Sequence, residues 1–210
     1  MPKTDQHTLV RYLILLLAFI SGFVIMTIEL LGGRILAPWF GNSIYIWGSI
    51  ITIFMLSLSV GYLLGGRWSL TNPNLFKHGL FFVAASVTLV PVILFGDQVM
   101  ESVFLVVTDP RYGSLLVSAI LFFVPTAILG MISPYSVRLL VENERHSGKI
   151  AGLLYFVSTL GSALGTLATS FYLVLIFEIN EILLTVSVIL IISGIVAMVS
   201  HKIQASMADD

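Results

Sequence analysis

Glu29 is the one acidic residue set well inside an apolar stretch of this chain, with Arg34 five positions later. An ionised carboxylate in hydrocarbon costs at least a few kcal/mol, so such a group turns toward other helices and finds a partner or a task. Two readings stand. In one, Glu29 receives a ligand cation such as an amine. In the other, it forms a structural ion pair near the outer boundary. Five residues along a continuous helix is not a face-sharing distance, so pairing with Arg34 requires a break at Gly32-Gly33, ahead of Pro38. Elsewhere the chemistry thins out. His7, His78, His146 and His201 all fall at or beyond the ends of apolar stretches, which disfavours a haem or buried metal held by histidine pairs. There are no cysteines, hence no disulfide, iron–sulfur cluster, thiolate metal site or cysteine nucleophile. No metalloprotease helix motif, nucleophile elbow, phosphate-binding loop or dinucleotide fingerprint occurs, so no catalytic residue, metal or cofactor is assigned.

The elements that must position Glu29 and Arg34 are long apolar helices. Of 210 residues 58% are hydrophobic and 10% charged, against roughly 25% charged in a soluble domain. A bilayer core of about 30 Å is crossed by about 20 apolar residues in a helix. Stretches of that kind run over Tyr12–Leu31, Ile44–Leu64, Gly79–Gly96, Gly113–Ile132, Ile150–Phe177 and Ile182–Ser200. The expected fold is an all-α, polytopic membrane bundle of six transmembrane helices forming a single domain. The first stretch is too long for a signal peptide and lacks a small-residue cleavage site, so it is expected to remain as a helix. A net charge of -1 and the absence of basic runs argue against nucleic acid.

Orientation follows from the cations. With the N-terminus cytoplasmic, Lys3, Arg11, Arg67, Lys77, Arg138, Arg145, Lys149 and Lys202 lie inside, and only Arg34 and Arg111 lie outside. The positive-inside rule therefore gives N-in, C-in. Trp39 and Trp47 suit an outer aromatic belt and Trp68 an inner one. Val99–Val107, too short to span, reads as an amphipathic segment on the outer surface. Pro91, Pro125 and Pro134 mark kinks in helices 3 and 4.

Small residues form two stripes. Ser57, Gly61 and Gly65 share a face of helix 2, and Ser158, Gly161, Ser162, Gly165 and Thr169 share one of helix 5. Such stripes let helix backbones approach closely in lipid, either as plain packing or as ligand-lining surfaces. Each follows a small–Pro–aromatic step, Ala37-Pro38-Trp39 in one case and Ser133-Pro134-Tyr135 in the other. Three helices separate the copies, which is the arrangement of a 3+3 inverted repeat.

Two blocks carry a family resemblance. The first is Glu29, Gly33-Arg34-Ile35-Leu36-Ala37-Pro38-Trp39-Phe40-Gly41-Asn42-Ser43, Trp47 and Gly61-Tyr62-Leu63-Leu64-Gly65-Gly66-Arg67. The second is Gly130-Met131-Ile132-Ser133-Pro134-Tyr135, Arg138-Leu139, Gly148, Ala151-Gly152-Leu153-Leu154-Tyr155 and Ser158-Thr159-Leu160-Gly161-Ser162-Ala163-Leu164-Gly165-Thr166. Together they resemble the membrane part of the membrane-embedded spermidine synthase-like proteins, also called fused major-facilitator/spermidine synthase proteins. In fused members a cytoplasmic domain similar to aminopropyltransferases binds S-adenosylmethionine-type cofactors. These 210 residues hold no such domain, so the catalytic residues of the family carry over to no position here. The resemblance implies a membrane subunit in the cytoplasmic (inner) membrane of a bacterium or archaeon. It further implies a separately encoded soluble spermidine synthase-like partner docked on a face that includes Arg67, Lys77, Arg138, Arg145 and Lys149. Those cations also have the simpler role of fixing topology. The competing reading is a small transporter of polyamines or other amines, half the size of a major facilitator and completed as a homodimer, with Glu29 and Arg34 at its ligand site.

Overall fold

The computed structural model describes residues 3–141 and 147–209, with side chains described for 8–141 and 147–206. It is 92% helical, with no strand among the described residues. The helices are α1 (Lys3–Phe40), α2 (Ile44–Trp68), α3 (Leu75–Val106), α4 (Pro110–Leu140), α5 (Ser147–Ala168), a π turn (Thr169–Leu173) leading into the short α6 (Val174–Ile176), and α7 (Ile179–Asp209). Six helical stretches are long and apolar enough to cross a membrane, the fifth running over Ser147–Ile176. The chain is an all-α, multi-pass membrane protein.

Local chemistry sets the helix ends. Gly41, at φ +88°, turns the chain out of α1 as its N–H bonds the Ala37 carbonyl at 2.9 Å, the left-handed closure that glycine permits without strain. Asn74 caps α3 by accepting from the Lys77 N–H at 2.8 Å. Asp109 caps α4 by accepting from the Arg111 N–H at 2.9 Å, with Pro110 filling a first-turn position where no donor is needed.

Several expectations are corrected. Helix 1 does not break at Gly32-Gly33 but continues through Pro38 to Phe40. The two glycines instead admit aromatic rings, Phe122 against Gly32 and Trp47 against Gly33. Val99–Val107 is not a separate surface segment, because α3 continues without interruption to Val106. Pro91, Pro125 and Pro134 do lie inside α3 and α4, where the sequence places them. At 1.5 Å per residue, the 38 residues of α1 extend about 57 Å, well beyond a hydrocarbon core of about 30 Å.

The helices associate in pairs: α1 with α5, α2 with α4, and α3 with α7. Exchanging α1 for α4, α2 for α5 and α3 for α7 leaves this pairing unchanged, as a 3+3 inverted repeat requires. In all three pairs glycine makes the contact, Gly79 meeting Gly194 between α3 and α7. A Cβ on Gly61 or Gly65 would strike the backbone of α4 at Ala127 and Met131, and one on Gly161 or Gly165 would strike the backbone of α1 at Phe19 and Phe23. Lipid tails supply no hydrophobic drive between helices, so close backbone packing is what holds such pairs. Hydroxyls add cross-links: Ser162 donates to the Gly22 carbonyl (3.2 Å), Thr169 to Thr27 (3.0 Å) and Ser86 to the Ser187 carbonyl (2.9 Å).

The exchange is imperfect in one respect. α3 packs extensively on α4, whereas the equivalent approach of α1 to α7 is slight.

Candidate functional site: a cleft between α1, α3 and α7

Glu29 is half-buried and makes no hydrogen bond or ion pair among the described residues. Its neighbours on the same face of α1 are Gly22, packed on Ser158 and Ser162 of α5, and Gly33, packed on Trp47 of α2. The carboxylate thus belongs to the flank of α1 between α5 and α2. The ion pair with Arg34 does not form, because the unbroken helix keeps the two residues on different faces.

Arg34 reaches another element. Its guanidinium donates to the Val174 carbonyl at 3.1 Å. Val174 begins α6, where the helix end leaves carbonyls without intrahelical donors, so the arginine satisfies one and ties α1 to the end of the fifth span. Arg34 also lines a cleft of about 190 Å³ between α1, α3 and α7, together with Pro38 and Trp39 of α1, Gly96, Asp97 and Met100 of α3, and Asn180 at the start of α7. A Cβ on Gly96 would meet no atom within 4 Å, so the missing side chain leaves room in the cleft. Arg34 and Asp97 share the cleft without forming an ion pair with each other or with any other described residue.

At the opposite end of the bundle the corresponding place is filled. Tyr135 of α4 packs edge-on against Phe81 (ring centroids 5.1 Å apart) and stacks on His78 (5.9 Å), both on α3. The Tyr135 hydroxyl accepts from the Asn74 N–H at 3.0 Å. The exchange that pairs α4 with α1 sets the Pro134-Tyr135 step against Pro38-Trp39, and the start of α3 against the start of α7. One wedge is packed with aromatic rings, and its counterpart stands open.

The cationic residues assigned to the cytoplasmic face lie at that packed end. Arg67 ends α2, Lys77 opens α3, Arg138 closes α4 and Lys149 opens α5. Arg67, Arg138 and Lys149 are exposed and form no ion pair among the described residues. Lys77 donates to the Thr71 carbonyl at 2.8 Å. Arg145 lies outside the described residues. No group of three or more histidine, aspartate or glutamate side chains that could hold a metal occurs among the described residues.

Sequence reasoning missed Asp97 and Asn180. Asp97 falls just past an apolar run and Asn180 just before one, and neither has a motif; only the packing of α3 and α7 beside α1 brings them to Arg34. His78, read as lying at a helix end, is fully buried, and the sole signal was its adjacency to the apolar run. Comparison with known proteins returns no matching family model, curated protein or solved structure.

Proposed function

We propose that this chain is a non-catalytic membrane subunit, resembling the membrane part of spermidine synthase-like proteins, that holds a soluble aminopropyltransferase-like protein at the cytoplasmic membrane of a bacterium or archaeon. The observation that carries this reading is the set of unpaired cations Arg67, Arg138 and Lys149, which close or open three different helices at one end of the bundle. Cations left exposed and unpaired in this way are free to meet an acidic partner surface. The two blocks that carry the resemblance also include four of the glycines that pack on neighbouring backbone, Gly61, Gly65, Gly161 and Gly165. The test is reconstitution in nanodiscs with a purified soluble spermidine synthase-like protein. Binding that weakens with salt and is lost in an Arg67→Glu/Arg138→Glu variant is the expected result. Indifference to both overturns the docking face.

A second reading, a half-size transporter of amines acting as a homodimer, is favoured by a different observation. The helix pairing has the exchange symmetry of inverted-repeat carriers, and Glu29 has no partner in a position where a buried carboxylate needs one. Here Glu29→Gln leaves yield intact and abolishes polyamine uptake into liposomes by the chain alone. A variant that only lowers folded yield marks Glu29 as structural.

A further inference from the structure

We infer that the cleft between α1, α3 and α7 is a binding site for a zwitterion, its anionic group held by Arg34 and its ammonium group by Asp97. This goes beyond the docking reading and stands or falls separately from it.

Three observations carry it. Opposite charges line one cleft yet remain unpaired. Both side chains are exposed to the cleft's mouth, and one hydrogen bond, to the Val174 carbonyl at 3.1 Å, holds Arg34. The guanidinium has five N–H donors, so the bond to Val174 leaves others for an anion. Asp97 supplies only acceptors, and an ammonium group matches it. Asn180 adds an amide that can serve either end, and Trp39 and Met100 give an apolar wall for the carbon skeleton.

The second observation is size. About 190 Å³ suits a small molecule carrying both charges, not a long polyamine chain. The third is the contrast with the other end of the bundle, where Tyr135, Phe81 and His78 fill the equivalent wedge. At the α1–α7 wedge, glycine at position 96 keeps the space clear.

The shared ligand chemistry is an ammonium joined to a carboxylate or phosphate. A free neutral α-amino acid and the ethanolamine-phosphate headgroup of a lipid both have it. The experiment has two arms. In detergent, Trp39 emission is followed during titration with L-leucine and O-phosphoethanolamine, with putrescine and methyl phosphate as single-sign probes and Trp39→Phe as the blank. In nanodiscs of phosphatidylethanolamine or phosphatidylglycerol, native mass spectrometry reads retained lipid.

Saturable binding of a zwitterion, not of the single-sign probes, is expected. Arg34→Gln and Asp97→Asn should each weaken it about tenfold or more, and Gly96→Leu, whose Cβ meets no atom within 4 Å, should abolish it while the bundle stays folded by circular dichroism. A response confined to the detergent arm identifies a soluble ligand, and retention of phosphatidylethanolamine alone identifies the lipid. Equal binding of putrescine or methyl phosphate, insensitivity to all three substitutions, or no zwitterion bound in either arm overturns the assignment.

Discussion

His78 Nε2 and Ser136 Oγ lie 2.8 Å apart in the interior, joining the start of α3 to the end of α4. Ser136 spends its single proton on the Ile132 carbonyl at 2.7 Å, so its oxygen accepts and His78 carries its hydrogen on Nε2. His78 Nδ1 is then an acceptor, and it has no partner. The pair is a cross-helix strut. His78→Ala removes a buried ring along with the bond, and a loss of about 2–4 kcal/mol is expected from the truncation of a packed aromatic. Ser136→Ala strands the Nε2 donor and should lose about 1–3 kcal/mol. Reversible unfolding in mixed micelles measures both, and equal stability of Ser136→Ala and the parent removes the strut.

Glycine positions separate into two classes. Gly61→Leu and Gly161→Leu push side chains into neighbouring backbone, so each should destabilise by about 1–3 kcal/mol or more, with loss of the α2–α4 or α1–α5 pair. Gly48 and Gly66 face open space. There an alanine should be neutral or stabilise by about 0.5–1 kcal/mol through helix preference alone. Thermal melts of the four variants check the ordering.

Thr27 and Thr169 share a buried hydrogen bond of 3.0 Å between α1 and the π turn. A double-mutant cycle with valine at both sites should return a coupling of about 0.6 kcal/mol, the usual size for such bonds between membrane helices. Zero coupling shows that the hydroxyls find substitute partners.

Asp109 lies in the α3–α4 turn, outside the spans. Hydrogen bonds from the Arg111 side chain, then from its backbone N–H, hold the Asp109 carboxyl below the usual carboxylate range, against a weaker opposing effect of burial. A lowered folded-state value stabilises the fold above the unfolded value near 3.8. That contribution is lost as pH falls through the folded value. Arg111→Gln should move the Asp109 titration, followed by carboxyl carbon resonances, back toward the ordinary range. The carboxylate stays in contact with solvent, so overall stability changes little.

The absence of native cysteine makes orientation directly measurable. Leu70, in the turn after α2, and Ile44, the first residue of α2, are 77% and 78% exposed at opposite ends of the bundle. Leu70→Cys should react with a membrane-impermeant maleimide only after cell permeabilisation, and Ile44→Cys in intact cells. The reverse pattern inverts the topology.

Helix number was legible because apolar length is a one-dimensional property. Helix ends were not, because hydropathy reports lipid depth, whereas α3 continues through Asp97 and Glu101 by backbone hydrogen bonding alone. Gly61, Gly65, Gly161 and Gly165 were readable as close-packing positions, since small residues four apart have few other uses in lipid. Arg34 was singled out, yet its companions were not. The glycine pair suggested a bend toward Glu29, and it became a seat for Phe122 and Trp47. The partner Asp97 depends on which helices lie beside one another, a relation that residue spacing within α1 does not encode.

The π turn has an angular consequence. A π turn carries one residue more than the α-helix it interrupts, so everything beyond Leu173 is rotated by roughly 100° relative to a regular continuation of α5. Thr169 still meets Thr27 before the offset, and Val174 is swung to Arg34 after it. Deleting a single residue within Thr169–Leu173 would leave the glycine-packed part of the helix seated while the downstream carbonyl pointed elsewhere, unlatching the arginine without loosening the bundle.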